Sequence, residues 1–260
     1  MSKPDIVLIG AGNLATQLGI ALKEREFPIS CVYSRTLSSA GNLGKLLNAP
    51  YTNVLTDLPP DAGLYIFAVK DDMLPELLKK IPANQGLWAH TAGSLPLSVF
   101  EGYTDRFGVI YPLQTFSKQR KVNFGNIPVF IEANNPQDET ILLELARKLS
   151  EKAIPLSSEK RKYYHLAAVF ACNFSNHIYT LASDILEKQD LDWRNLLPLI
   201  KETASKIEDI SPAKAQTGPA VRYDRTIIDK QLELLKGDKI KQEIYKNISQ
   251  SIHLNTINSQ

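Results

Sequence analysis

The apolar positions of this chain fall into two regimes. Up to about residue 156, short apolar runs alternate with stretches whose apolar residues recur every three or four positions; beyond it only the second pattern remains. In the first regime Ile6-Val7-Leu8-Ile9, Ile29-Ser30-Cys31-Val32-Tyr33, Leu64-Tyr65-Ile66-Phe67-Ala68-Val69, Gly86-Leu87-Trp88-Ala89, Gly108-Val109-Ile110-Tyr111 and Val129-Phe130-Ile131-Glu132 read as strands. Between them, helical spacing marks Leu14, Leu18, Ala21 and Leu22, then Ala40, Leu43, Leu46 and Leu47, then the runs 73–81 and 139–149. Residues 51–58 read as a short extended link, and Ile154-Pro155-Leu156 as a last strand. Several strands are continuously apolar, as parallel strands covered on both faces must be. Repeated strand–helix units therefore predict a doubly wound, mostly parallel sheet.

Past the polar segment 157–162, strand patterns cease. Residues 163–188 predict one helix of about seven turns, with Ala167, Phe170, Ala171, Phe174, Ile178, Leu181, Ala182 and Ile185 as its apolar stripe. Residues 192–208, 222–235 and 239–254 predict three more, Gly237 separating the last two. The expected fold is α/β: a doubly wound sheet domain over 1–156, then an all-helical domain over 157–260.

Charge and cysteine content narrow the function. Thirty basic residues against 28 acidic ones give a formal net charge of +2, too balanced to point to nucleic acid or an anionic membrane. No stretch reaches the roughly 18 apolar residues of a membrane span, and residues 1–5 lack the basic start of a leader. Cys31 and Cys172 are too few and too far apart for a disulfide framework or a four-thiolate metal site. The expectation is a cytoplasmic chain with no metal, a small-molecule substrate, and neither nucleic acid nor membrane as partner.

The first strand runs straight into Gly10-Ala11-Gly12-Asn13-Leu14-Ala15, the G-x-G-x-x-A form of the dinucleotide-binding fingerprint. Gly10 permits the tight turn, Gly12 admits a pyrophosphate close to the backbone, and Ala15 lets the helix pack on the strand. Phosphates then meet free N–H groups, with Ala11, Asn13 and Leu14 beside them, at the positive end of the helix dipole. The second strand ends in Ser34-Arg35-Thr36, where sheets that bind NAD carry an acid for the ribose 2′-hydroxyl. Two hydroxyls and a planar guanidinium there suit a 2′-phosphate, so the cofactor expected is NADP.

Ligands of such sheets bind beyond the carboxyl ends of the strands, where Val69 with Lys70, His90 with Thr91, and Gln114 fall. His90 serves there either a substrate or a local cap, and Gln114 either a substrate or its own loop. In the long helix, Asn173 lies a net ~80° and Asn176 a net ~20° from His165 at about 100° per residue. They form a polar stripe satisfied by neighbouring helices or by a ligand. Thr217 and Arg222 flank Gly218-Pro219 at a loop-to-helix junction that presents either an anion site or a plain helix start.

Together these motifs, with His90-Thr91-Ala92-Gly93-Ser94, Tyr111-Pro112-Leu113-Gln114-Thr115-Phe116, the run from His165 to His177, and Thr217-Gly218-Pro219-Ala220-x-Arg222, resemble a Rossmann-like family designated NADP oxidoreductases of unassigned substrate. More distantly the plan is similar to pyrroline-5-carboxylate reductase, the deazaflavin-dependent NADP reductases and the 6-phosphogluconate dehydrogenase superfamily. The resemblance implies an N-terminal NADP domain, a helical C-terminal domain, a substrate cleft between them and a homodimer built on the helical half. Related hydroxyacid dehydrogenases place a lysine four residues before the asparagine of the long helix; here Val169 stands four before Asn173. Tyr223 stands where the narrower family has a glycine.

The function expected is hydride transfer between the nicotinamide and a small carbonyl or imine. His90 and His165 are the candidate proton donors, Asn173 joins them in catalysis, and Gln114, Asn176, Thr217 and Arg222 hold substrate. The alternative is a non-catalytic NADP(H)-binding sensor that acts through a protein partner.

Overall fold

The structure, a computed structural model, describes residues 3–258. It divides into two compact units, Met1–Asn173 and Phe174–Gln260. The division falls inside the helical run, later than residue 156 where the strand pattern stops.

The first unit is an eight-stranded sheet, β1 (Ile6–Ile9), β2 (Ile29–Tyr33), β3 (Tyr51–Thr52), β4 (Leu64–Phe67), β5 (Leu87–His90), β6 (Phe107–Pro112), β7 (Val129–Ala133) and β8 (Ala153–Pro155), in the spatial order β3-β2-β1-β4-β5-β6-β7-β8. All neighbours are parallel except β6 and β7. Six expected strands are present, and the weak Ile154 pattern is the edge strand β8. The expected link over 51–58 instead carries β3, two residues at the opposite edge, followed by a short 3-10 turn.

Period-two alternation sends each strand's residues to opposite faces. Leu8, Val32, Ile66, Ala89, Ile110 and Ile131 face one layer, built from α1 (Asn13–Glu24), α2 (Leu37–Leu47) and α4 (Pro136–Leu149) through Leu18, Leu22, Leu43, Leu142 and Leu145. Ile9, Tyr65, Phe67 and Trp88 face the other, where Phe100 and α3 (Leu74–Leu78) cover them. That three-layer arrangement is the doubly wound architecture. No helix among the described residues is long and apolar enough to cross a membrane.

After β8 the chain enters α5 (Ser158–Ala168), a π-helical turn over Val169–Phe174, and α6 (Ser175–Glu187). This differs from the expected helix in two respects. It begins at Ser158, so the polar segment 157–162 is its first turn. Its spacing of about 100° per residue also fails through the wide turn, whose bonds run i to i+5. The alignment of His165, Asn173 and Asn176 on one line rested on that spacing. In the single chain both asparagines are exposed and His165 is half-buried.

The second unit holds α6, α7 (Leu197–Asp209), the short α8 (Pro212–Ala215), α9 (Arg225–Leu234) and α10 (Lys239–Asn258). Asp224 caps α9 through Ile227 N at 3.2 Å. Tyr223 has φ +51°, a left-handed conformation that favours glycine. Its ring stacks on His253 with centroids 4.6 Å apart.

Candidate active site

The exit of β1 is built for glycine. Gly10 has φ +123°, and a Cβ on it would lie 2.2 Å from the Ala68 carbonyl oxygen at the end of β4. A Cβ on Gly12 would meet nothing within 4 Å. Gly12 is the N-cap of α1 and makes no side-chain cap bond, and the first turn holds no acid. Asn135, by contrast, caps α4 at 2.9 Å. The open cradle at Gly12 and the uncapped N–H groups of α1 fit a pyrophosphate.

One strand away, Thr36 accepts from Ser39 N at 3.4 Å as the cap of α2, and Ser34 N donates to Thr52 O at 3.2 Å. Arg35 is exposed and makes no hydrogen bond or ion pair among the described residues, so its guanidinium is available to an anion. Past β4, Val69 is half-buried and Lys70 exposed. Thr91 is buried, and its Oγ1 donates to Phe67 O at 3.3 Å, tying the exits of β5 and β4 together.

His90 is the last residue of β5 and fully buried. Its Nδ1 accepts from Ala92 N at 3.1 Å. Burial first, then the nearby Arg161 charge, push its pKa down to about 3. Both causes favour the neutral imidazole. His165 is the other expected donor, and the structure places it against the sheet. Tyr111 Oη and His165 Nδ1 share a hydrogen bond at 3.1 Å, with the rings edge to face. Burial raises the Tyr111 pKa, the Arg161 charge opposing, so the phenol keeps its proton.

Sheet register accounts for this placement. His90, Val109 and Glu132 form one row across β5, β6 and β7, and Tyr111 pairs with Phe130 two residues further on, on the same face. On α5, Arg161 bonds Glu132 and, one turn later, Tyr164 packs on Phe130 while His165 bonds Tyr111. One helical turn advances about 5.4 Å and two strand residues about 6.6 Å, so helix and strand stay in step. The helix therefore delivers His165 to the carboxyl end of β6, the edge where ligands of such sheets bind.

Gly93 fixes the fit from the third side. A Cβ there would lie 2.6 Å from His165 Nδ1 and 2.7 Å from Tyr111 Cζ. Gly93→Ala is expected to force these rings apart and to cost about 1–3 kcal/mol, read as a lower denaturation midpoint. Next along the loop, Ser94 Oγ donates to the Asp71 carboxylate. Gln114 is exposed, and its Oε1 accepts from Thr115 N at 2.8 Å, a brace for its own loop.

The structure thus brings His165 to Tyr111 and Gly93, a pairing in which Tyr111 was not singled out by sequence. Asn173 ends the first unit in the π-helical turn, and Asn176 lies in the first turn of α6 in the second. Thr217 and Arg222 are exposed in the loop before α9, where Gly218 has φ +105°.

Known proteins extend this picture. A family profile described as "Domain of unknown function (DUF2520)" matches residues 127–252. A solved structure of a putative NADP oxidoreductase from Bacteroides fragilis is 47% identical, with a TM-score of 0.91 over 96% of this chain and 98% of that one. A Thermotoga maritima protein is 23% identical, with a TM-score of 0.77 over 94% and 97%. An imine reductase from Myxococcus stipitatus in complex with NADP+ is 14% identical, with a TM-score of 0.65 over 96% and 92%; the last two likenesses are of fold alone. No curated protein matches.

Proposed function

Because this chain belongs to the family of the putative NADP oxidoreductase from Bacteroides fragilis, we propose that it is an NADP-dependent oxidoreductase acting on a small carbonyl or imine. The observation that carries the reading is the Tyr111–His165 pair, held at 3.1 Å at the carboxyl edge of the sheet whose first turn is open at Gly12. When bound, the cofactor supplies the hydride. The backbone from Gly10 to Leu14 receives its pyrophosphate, with Val69, Lys70 and Thr91 alongside.

His165 holds the proton that balances the hydride on the substrate oxygen or nitrogen. Tyr111 engages Nδ1, which leaves Nε2 as the atom offered to substrate. A phenol both gives and accepts hydrogen bonds, so the ring stays aligned whether the imidazole is charged or neutral. His90 keeps the loop after β5 in place by accepting the Ala92 N–H. On the family motifs, Gln114, Asn173, Asn176, Thr217 and Arg222 are assigned to substrate.

Ser34, Arg35 and Thr36 are assigned to the 2′-phosphate. NADPH is expected to bind more tightly than NADH, and Arg35→Ala to remove most of the difference in a fluorescence titration. Equal affinities in the unaltered protein would count against the assignment.

The proposal includes a homodimer. Within the second unit only Ala220, Ile228 and Ser249 are buried among the described residues, while Leu199, Leu234 and Ile240 are each more than 60% exposed. Ile178, Leu181, Ile185, Ile244 and Ile248 also line an apolar groove of about 380 Å³. A helical domain of this length has too little core of its own, and a second copy offers a matching apolar surface. Light scattering at micromolar concentration is expected to give twice the chain mass of 29.0 kDa; a monomer mass would contradict the dimer.

A further inference from the structure

Outside the proton-donor pair, the first unit contains a second polar cluster that the proposed reaction does not use. Arg161 on α5 is 1% exposed. Its Nη1 donates to Glu132 Oε2 at 2.7 Å, and its Nη2 to Leu95 O at 2.6 Å and to Ser158 Oγ at 3.0 Å. Ser158 Oγ in turn donates to Glu132 Oε2 at 2.6 Å and accepts from Leu97 N at 2.8 Å. One guanidinium and one hydroxyl therefore join three pieces of chain: strand β7, the first turns of α5, and the loop that leaves β5.

Stability is a poor explanation for this cluster. Burying a guanidinium and a carboxylate costs desolvation that their attraction barely offsets, and apolar residues of similar volume often serve a core as well or better. Arg161 Nε is moreover buried with no hydrogen-bond partner among the described residues, a further cost. What the cluster does supply is a fixed distance. The loop it grips contains Gly93, which abuts both His165 and Tyr111, and the helix it grips carries His165 one turn beyond Arg161.

We infer that Arg161, with Glu132 and Ser158, is a positioning residue that locks the Gly93–Leu97 loop to α5 and so sets the His165–Tyr111 hydrogen bond. A lysine at 161 keeps a charge for Glu132, but a single ammonium lacks the planar fork that reaches Glu132 and Leu95 O together. The consequence for proton delivery rests on the function proposed above; the geometric claim does not.

The test uses the full chain labelled with ¹⁵N-histidine, which carries four histidines. His165→Gln assigns the His165 signals, and Tyr111→Phe gives their position without the shared bond. In Arg161→Lys, the His165 Nδ1 signal is expected to move from its wild-type position towards that of Tyr111→Phe. His253 acts as an internal control, since its partners Tyr223 and Val221 belong to the second unit. If Arg161→Lys does not fold, the same shift is read in Glu132→Gln, which keeps the guanidinium and removes the carboxylate charge. His165 signals that stay at wild-type positions in the variant that folds would overturn the inference. Turnover is not part of this readout, so failure of the oxidoreductase reading leaves the result interpretable.

Discussion

His165→Gln is expected to lower turnover by about 100- to 10 000-fold, the usual contribution of a positioned general acid, while leaving NADPH affinity within experimental error of the wild type. His165 is half-buried against Tyr111 and Gly93 and distant in sequence from the glycine turn that receives phosphates. Its loss removes proton delivery and one hydrogen bond, not a cofactor contact. Glutamine fills much of the imidazole's space and still offers a donor to Tyr111 Oη, so melting temperature should change little. Steady-state NADPH oxidation across a panel of small carbonyls and imines, with a cofactor titration on the same samples, separates these effects. A variant with unchanged turnover would move His165 out of the chemistry. A variant that loses NADPH affinity in step with turnover would make it a cofactor residue instead.

The two fingerprint glycines are expected to fail in opposite ways. An alanine at Gly10 meets the Ala68 carbonyl oxygen at 2.2 Å with φ at +123°. The backbone strain costs about 1–3 kcal/mol and the forced displacement about 1–3 kcal/mol. For a chain of this size the melting temperature should fall by roughly 5 to 20 °C, and cofactor binding should go with it. An alanine at Gly12 has nothing within 4 Å and an ordinary φ of −78°. Gly12→Ala should therefore melt like the wild type and still bind NADPH poorly, because its methyl group occupies the space assigned to the pyrophosphate. Thermal melts and NADPH titrations on both variants check the contrast. A Gly12→Ala protein that binds normally would remove the pyrophosphate from that turn.

Much of the fold was legible because its physics is local. Strands buried on both faces must be continuously apolar, and a strand turning into a helix beside another strand must use glycine at Gly10. The direction of β7 was not legible, since an antiparallel strand covered on both faces has the same composition as a parallel one. Strand β3 is two residues long and leaves no period to detect. The π-helical turn arises from how Val169–Phe174 are accommodated rather than from any residue type, so a wheel of regular helical spacing drawn through it misplaces the residues beyond, Asn176 among them.

The site divided in the same way. His165 was visible as a titratable residue in a mostly apolar helix. Tyr111 was not, because a tyrosine ending an apolar strand reads as core and its partner lies 54 residues along the chain, outside any local window. Only the match of helix turn to strand pair joins the two. Arg161 and Glu132 were missed for a different reason. A charged residue in the polar segment 157–162 reads as solvated, and its 1% exposure results from the carboxylate waiting on β7. His90 was visible for its chemistry, but nothing in the sequence tells that the strand buries it completely.

Whether this chain moves a hydride or merely binds its carrier is tested most directly with NADPH deuterated at the transferable position of the nicotinamide. The labelled cofactor is incubated with the protein and the carbonyl and imine panel, and deuterium is followed into products by mass spectrometry. Deuterium is expected in at least one reduced product with the wild type, and at a level lower by the factor given above with His165→Gln at saturating NADPH. Wild-type protein saturated with NADPH that transfers no deuterium to any member of the panel would contradict hydride transfer and favour a cofactor-binding sensor.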